Sequence, residues 1–328
     1  MLASSSSRLA AGRSSRPCAW WPVRAARGPV AAVRATAVTT ADAAAAAVAA
    51  RAADFRRYKS PLPPLGDKPS DLICVEPGVS WSIRQDFPGG GKSGINLNMA
   101  VFATKGGNVA YAPVAPTPEV VEMLRSVGGL AHLVVPNMSP EHGSLHAVGF
   151  AEAFPEATVW CVEGLLEGSG LAGAPGGVGE ASKRLAAMPN ARRLDRQALR
   201  DATGGDVDYA LFQERMGLFR EATLLVRPAK AAAFADLGFG AFNDEGMVIP
   251  PQRWMARLVG VYERLGSPVG FAVMSSDKAA ARAWAGDIEA WARDGEAPEW
   301  VFGSHLTPAF GGAREELERG FAFVPLKF

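Results

Sequence analysis

Three side chains capable of chemistry stand where predicted strands end. His142 follows a short strand that closes at Pro136, Asp236 closes a strand of small residues, and His305 closes a late strand that begins at Trp300. Imidazole and carboxylate groups can transfer protons or bind divalent cations. Loops at strand ends gather such groups onto a rigid scaffold. The three side chains therefore predict one polar site, assembled from distant parts of the chain.

The other two histidines, His132 and His146, are expected to be structural. His146 lies four residues after His142, and on a helix the two would share a face, which is also a spacing used by metal-ligand pairs. We favour the alternative, a position on the helix surface. His132 begins a buried strand, which predicts a hydrogen-bonded residue of the core.

The glycine-rich segment 89–94 imitates two nucleotide-binding motifs. It satisfies G-x-G-x-x-G, and the triplet 91–93 resembles the end of a P-loop, but Asp86 stands where a P-loop needs glycine. A dinucleotide motif must open a helix, whereas residues 95–102 alternate like a strand. The segment therefore predicts a hairpin loop without nucleotide. No G-x-S-x-G occurs, so a serine-hydrolase elbow is absent.

The elements that must position these residues are strand pairs followed by alternating strands and helices. Thr117, Pro118 and Glu119 predict a helix start, because Thr caps the helix, Pro fits its first turn and Glu faces its positive end. Two similar halves of this kind predict stacked sheets with helices outside. Further helices are predicted at 145–154, 251–265, 277–293 and 312–320. Predicted strands cover 72–76, 81–84, 95–102, 109–114, 132–135, 157–162, 211–219, 223–226, 231–236 and 300–305.

The segment from Pro136 to His142 resembles a known metal-binding loop. It is similar to the H-x-H-x-D-H loop of the metallo-β-lactamase superfamily, and the four ligand positions of that loop are here Asn137, Ser139, Glu141 and His142. The resemblance implies an α/β fold, an αββα sandwich of two β-sheets flanked by helices.

A closer resemblance is to the DUF4336 family of plants and cyanobacteria, a degenerate branch of that superfamily. It rests on four features: Pro136 before Glu141-His142, the Phe-Pro-x-Ala pattern at 154–157, a strand ending in Asp236, and His305 after Trp300. It runs from about residue 70 to the C-terminus.

The resemblance implies a metal centre that is half retained. The superfamily's first cation needs histidines where Asn137 and Ser139 stand, and no histidine lies between residues 147 and 304, so that site cannot form. The ligand positions of the second cation are Glu141, His142, Asp236 and His305. This set implies one divalent cation (Zn, Fe or Mn) on His142, Asp236 and His305, with Glu141 as fourth ligand or neighbour.

Three functions remain open at this point. The first is a single-metal hydrolase of unknown substrate, with Glu141 or Asp236 as general base. The second is a catalytically inactive pseudoenzyme, kept as a binding or assembly module with a small-molecule or protein partner. The third is a redox protein with iron in the same site. Glu141 replaces the superfamily's aspartate, which lengthens the arm by one methylene.

Residues 1–35 have the composition of an organelle transit peptide. They contain six arginines, no acidic residue and a run of four serines, which is the signature of such segments. The serine run, without an arginine-studded amphipathic helix, favours the chloroplast stroma, and the mitochondrion is the alternative. We predict a transit peptide at 1–35, a flexible linker at 36–70 and one domain at 71–328.

Charge and cysteine content limit the partners and the compartment. Without residues 1–35 the chain has 28 basic and 33 acidic residues, a formal charge of −5, which argues against nucleic acid as a partner. No run of about 20 apolar residues occurs, so no spanning helix is predicted. Outside the transit peptide only Cys74 and Cys161 remain, which fits a reducing compartment and excludes a thiolate zinc knuckle.

Overall fold

The computed structural model describes two β-sheets with helices on their outer faces. The described residues are 32–33, 70–86, 96–139, 143–168, 178–215, 217, 219–238, 254, 257–258 and 264–328. The predicted linker and all but Ala32 and Val33 of the predicted transit peptide lie outside them. So do the glycine-rich hairpin loop at 89–94 and most of the predicted helix 251–265.

The first sheet contains eight strands in sequence order. Its first five strands pair antiparallel and its last four pair parallel, with β5 common to both sets. The strands are β1 (Ala32–Val33), β2 (Asp71–Glu76), β3 (Ser80–Asp86), β4 (Asn96–Thr104), β5 (Gly107–Tyr111), β6 (His132–Val135), β7 (Thr158–Cys161) and β8 (Ala191–Arg193).

The second sheet contains five strands in the order β13-β12-β11-β10-β9. Only β11 and β12 are parallel in this sheet, and the other neighbours are antiparallel. The strands are β9 (Val207–Gln213), β10 (Arg220–Val226), β11 (Ala231–Phe234), β12 (Trp300–Gly303) and β13 (Ala309–Gly311).

The helices lie in two groups along the chain. Thr117 caps α1 as predicted, since its side chain accepts a hydrogen bond from the Val120 N–H. The helices of the first half are α1 (Pro118–Ser126), α2 (Ser144–Ala153), α3 (Val178–Ala186) and α4 (Arg196–Ala202). Those of the second half are α5 (Pro268–Ser276), α6 (Lys278–Trp291) and α7 (Ala313–Gly320), with a π-helical turn at Ala292–Glu296 after α6.

Three layers of buried apolar side chains hold the fold together. Phe102 and Tyr111 of the first sheet pack against Leu224 and Phe302 of the second, in the core between the sheets. A second layer joins the first sheet to α1, α2 and α3, and a third joins the second sheet to α6 and α7. Because each sheet is buried on both faces, the order of layers is helix, sheet, sheet, helix. The predicted αββα sandwich is confirmed.

The elements differ from the sequence predictions at several boundaries. The hairpin β9–β10 occupies Val207–Gln213 and Arg220–Val226, so the strand predicted at 211–219 starts four residues earlier and ends before the turn. Pattern analysis missed α3, β8, α4, α5 and β13. The missed elements are short, and hydrophobic periodicity over so few residues is weak.

Candidate functional site

Asp236 and His305 meet because their strands are parallel and in register. β11 pairs with β12 so that Phe234 lies opposite Gly303, and each polar residue stands two positions beyond its member of that pair. The Nε2 atom of His305 lies 3.4 Å from Oδ1 of Asp236, and both side chains are largely buried. The structure thus brings together two of the residues that the sequence singled out.

The orientation of the His305 ring follows from its other nitrogen. Nδ1 lies 3.3 Å from the carbonyl oxygen of Asn96. A carbonyl can only accept, so Nδ1 carries a hydrogen, and in the neutral ring Nε2 then presents a lone pair. That lone pair faces a carboxylate oxygen of Asp236. A cation placed between these two atoms would contact both side chains.

Two asparagines of β4 hold the turn that carries His305. The side-chain amide of Asn98 donates to the carbonyls of Gly303 and Leu306 (2.9 and 3.1 Å), and that of Asn96 donates to the Leu306 carbonyl (2.9 Å). Leu306 has a φ of 67°, an unfavourable value for a non-glycine residue. The asparagines fix this strained turn, and with it the His305 ring.

Asn137 contacts Asp236 from the other side. Its side-chain Nδ2 donates to Oδ2 of Asp236 at 2.7 Å and lies 3.4 Å from Oε2 of Glu221. Its Oδ1 accepts from the backbone N–H of Ser139 at 3.1 Å. An amide nitrogen donates hydrogen and does not bind cations, so Asn137 cannot serve as the histidine that the superfamily loop has at this position.

Glu221 is a site residue that sequence reasoning missed. It is fully buried near the start of β10 and accepts from the backbone N–H groups of Ala235, Asp236 and Leu237 at 2.9, 2.7 and 3.0 Å. Burial and the neighbouring Asp236 carboxylate raise the pKa of Glu221 to about 8, against the opposing effect of the three N–H donors. The sequence signal that could have revealed Glu221 is a carboxylate directly before the apolar residues of a predicted strand.

The predicted site residues Glu141 and His142 lie outside the described residues. The chain on either side of them is described. Asn137 precedes them, and Gly143, buried, follows at the start of α2. A Cβ on Gly143 would lie 2.3 Å from the Ser139 carbonyl oxygen, so only glycine fits there. The backbone at Gly143 therefore lies against that of Ser139.

The other two described histidines, His132 and His146, are both buried. His146 is not on the helix surface, contrary to our expectation, because it is 4% exposed. Burial lowers its pKa to about 4. His132 is the predicted core residue: it is buried, and the Trp160 indole N–H lies 3.4 Å from its Nδ1.

The basic segment around Arg196 is engaged in ion pairs. Arg196 pairs with Asp287 at 2.6 Å, Arg200 pairs with Asp208, and Arg193 pairs with Glu163 at 2.6 Å. These partners occupy the guanidinium groups, which disfavours a phosphate-binding role.

The side chains of Asp236 and His305 fit two of the ligand positions of the second cation that the family resemblance implies. A tetrahedral cation with ligands at about 2.0–2.1 Å separates two of them by about 3.3 Å, and the 3.4 Å between His305 Nε2 and Asp236 Oδ1 matches this better than the roughly 2.8 Å of a charge-assisted hydrogen bond. The position of the first cation does not fit, because Asn137 presents its amide N–H groups there and an N–H group cannot bind a cation. Within the described ranges no group of three or more His, Cys, Asp or Glu side chains could hold a metal.

Two further predictions from the sequence concern the cysteines and membrane-spanning helices. Neither Cys74 nor Cys161 is part of a disulfide bond, and burial raises the pKa of Cys161 well above its usual range. In the part of the chain that the structure describes, no helix has the length and hydrophobicity to cross a bilayer.

One family model matches part of the chain. Residues 78–166 match the model of DUF4336, a domain of unknown function, so the resemblance to that family is confirmed over this segment. The segment includes Asn137, Glu141 and His142 and ends before Asp236 and His305. No curated protein matches the sequence.

Metallo-β-lactamases are among the similar solved structures. One from Erythrobacter litoralis, with β-mercaptoethanol in its active site, has a TM-score of 0.45 and 12% identity over 80% of this chain and 98% of its own. FIM-1 from Pseudomonas aeruginosa, in a mono-zinc form, has 0.43 and 9% over 79% and 96%. A β-lactamase domain protein from Burkholderia ambifaria has 0.43 and 16% over 79% and 75%.

Proposed function

The chain carries a DUF4336 domain over residues 78–166, and on that premise we propose that it is a single-metal hydrolase. The proposed ligands are Asp236, His305 and His142, with Glu141 as fourth ligand or neighbour. The observation that carries the proposal is the distance of 3.4 Å between His305 Nε2 and Asp236 Oδ1, which is the spacing of two ligands on one cation.

A divalent cation in such a site lowers the pKa of a bound water and polarises a substrate carbonyl or phosphoryl oxygen. The side chains supply the rest. Asp236 has one oxygen hydrogen-bonded to Asn137 and the other facing His305, so it serves as a fixed ligand. We therefore assign the general base to Glu141 in preference to Asp236. Glu141 is one methylene longer than the superfamily's aspartate and reaches further from the backbone.

Metal content tests this proposal directly. We would measure Zn, Fe and Mn by mass spectrometry in the purified full chain and in an Asp236→Ala/His305→Ala double variant. The matched control is His132→Gln, which removes a buried imidazole that contacts Trp160 and lies at the opposite end of β6 from Asn137. About one equivalent is expected in the parent and the control, and none in the double variant.

Absence of metal from a correctly folded parent would end the hydrolase proposal. The alternative, an inactive binding or assembly module, would then stand. One observation favours it: the Asn137 amide donates to Asp236 and lies near Glu221, so hydrogen bonds partly satisfy both carboxylates without a cation. Coloured protein with bound iron would instead support the redox function.

We further propose that residues 1–35 direct the protein to the chloroplast stroma. The support is the arginine- and serine-rich, acid-free composition of this segment. Fusion of residues 1–35 to a fluorescent protein is expected to give chloroplast fluorescence in leaf cells, and deletion of the segment from the full chain is expected to abolish import. Mitochondrial fluorescence would support the alternative address.

A further inference from the structure

Glu221 lies where the two sheets are joined beside the site. Pro136 and Asn137, which follow β6 of the first sheet, run antiparallel to Glu221 and Ala222 of β10 in the second. The Ala222 N–H donates to the Pro136 carbonyl at 2.9 Å, and the Tyr111 hydroxyl donates to the Ala222 carbonyl at 3.0 Å. These bonds attach the loop that leads to Glu141 and His142 to the start of β10.

The Glu221 carboxylate also holds the turn that carries Asp236. Oε1 accepts from the Ala235 N–H, and Oε2 accepts from the N–H groups of Asp236 and Leu237. Asn137 Nδ2 lies 3.4 Å from Oε2. A carboxylate has about four lone-pair sites, and four donors surround this one. Glu221 is therefore occupied as an acceptor and, being fully buried, is excluded as a ligand itself.

We propose that Glu221 is a positioning residue for the metal centre: it holds the 235–237 backbone and the Asn137 side chain so that Asp236 faces His305. The proposal rests on the proposed function, because it assigns Glu221 a role in cation binding. Residues that orient ligands through hydrogen bonds commonly change metal affinity by about 10–100-fold when they are replaced. Glutamate suits this place because glutamine offers one acceptor oxygen in place of two, and its amide hydrogens would face backbone N–H groups.

The test compares Zn²⁺ affinity of the full chain with that of Glu221→Gln, by titration calorimetry. The control is Glu289→Gln on α6, another buried glutamate that accepts a backbone N–H, from Lys327 at 2.9 Å, and pairs with Arg282 at 2.6 Å. We expect Zn²⁺ affinity to fall at least tenfold in Glu221→Gln and by less than twofold in the control. Equal, small losses in both variants would overturn the proposal.

A second measurement separates positioning from a general loss of structure. Amide hydrogen exchange at residues 235–237 of the metal-free protein keeps the test independent of cation binding. We expect exchange to be at least tenfold faster in Glu221→Gln than in the parent, and unchanged in Glu289→Gln. If the parent binds no Zn²⁺ but the two variants show this exchange pattern, the proposed function fails and Glu221 remains the residue that orients Asp236. Unchanged exchange at residues 235–237 in Glu221→Gln would also rule out a role of Glu221 in orienting Asp236.

Discussion

The imidazole of His305 and the carboxylate of Asp236 face each other with acceptor atoms 3.4 Å apart, because each residue stands two positions beyond a registered pair of parallel strands. Backbone pairing alone sets this geometry. Because an imidazole and a carboxylate face each other here, the pair is sensitive to substitutions that change charge and leave shape alone.

Asp236→Asn is expected to abolish metal binding while stabilising the metal-free protein. The asparagine oxygen can still accept from Asn137, and its amide can donate to His305 Nε2, which adds a hydrogen bond between these two side chains without a cation. We expect the free energy of unfolding in chelator at pH 8 to rise by about 1–2 kcal/mol, measured by urea denaturation. A loss of stability would contradict this prediction.

Asn137→Ala is expected to destabilise the protein and to weaken cation binding. It removes the 2.7 Å hydrogen bond to Asp236, at a cost of about 1–3 kcal/mol, and with it the contact that orients the Asp236 carboxylate. Asn190→Ala is the matched control, because its amide donates to the carbonyls of Ala151 and Ala157 away from the site. Urea denaturation should show similar losses in both variants, and only Asn137→Ala should shift Zn²⁺ affinity. A shift of the same size in the control would contradict the assignment.

His146 is expected to make the protein sensitive to mild acid. Its pKa is lowered to about 4 by burial and lies near 6.5 in the unfolded chain, so below about pH 6.5 the unfolded state binds more protons. The stability is present above pH 6.5 and is lost as the pH falls toward 4. Between pH 7.5 and 5 this loss is about 2 kcal/mol. Urea denaturation at the two pH values should show a smaller difference in His146→Gln, and equal differences would contradict the prediction.

Two tryptophans give contrasting predictions for the core and the surface. Trp284 is fully buried, donates to the Thr223 hydroxyl at 3.0 Å and packs on Phe321 with ring centroids 4.8 Å apart. Its replacement by alanine should cost about 3–5 kcal/mol. Trp254 is 66% exposed, and Trp254→Ala should change stability by less than about 0.5 kcal/mol. Thermal unfolding of the two variants checks both values, and similar melting temperatures would contradict the assigned layers.

The sequence by itself predicted the sandwich and the meeting of Asp236 with His305. Strand alternation, the Thr117 cap and the apolar stripe of α1 depend on neighbours within a few residues, so local patterns reveal them. The polar residues at strand ends were visible for the same reason, because the apolar pattern stops where they begin. The proposed ligand role of His142 and Glu141 came from family resemblance and remains a prediction.

Only the tertiary structure decided what surrounds these residues. Glu221 accepts hydrogen bonds from residues 14 to 16 positions away, and Asn137 contacts Asp236 across 99 positions; no local pattern encodes such pairings. The burial of His146 was missed because a polar residue on a helix predicts the solvent side unless a partner is known. Local chain chemistry therefore determined which groups stand at the strand ends, and the packing of two sheets determined their partners, since hydrogen bonds and desolvation act through space.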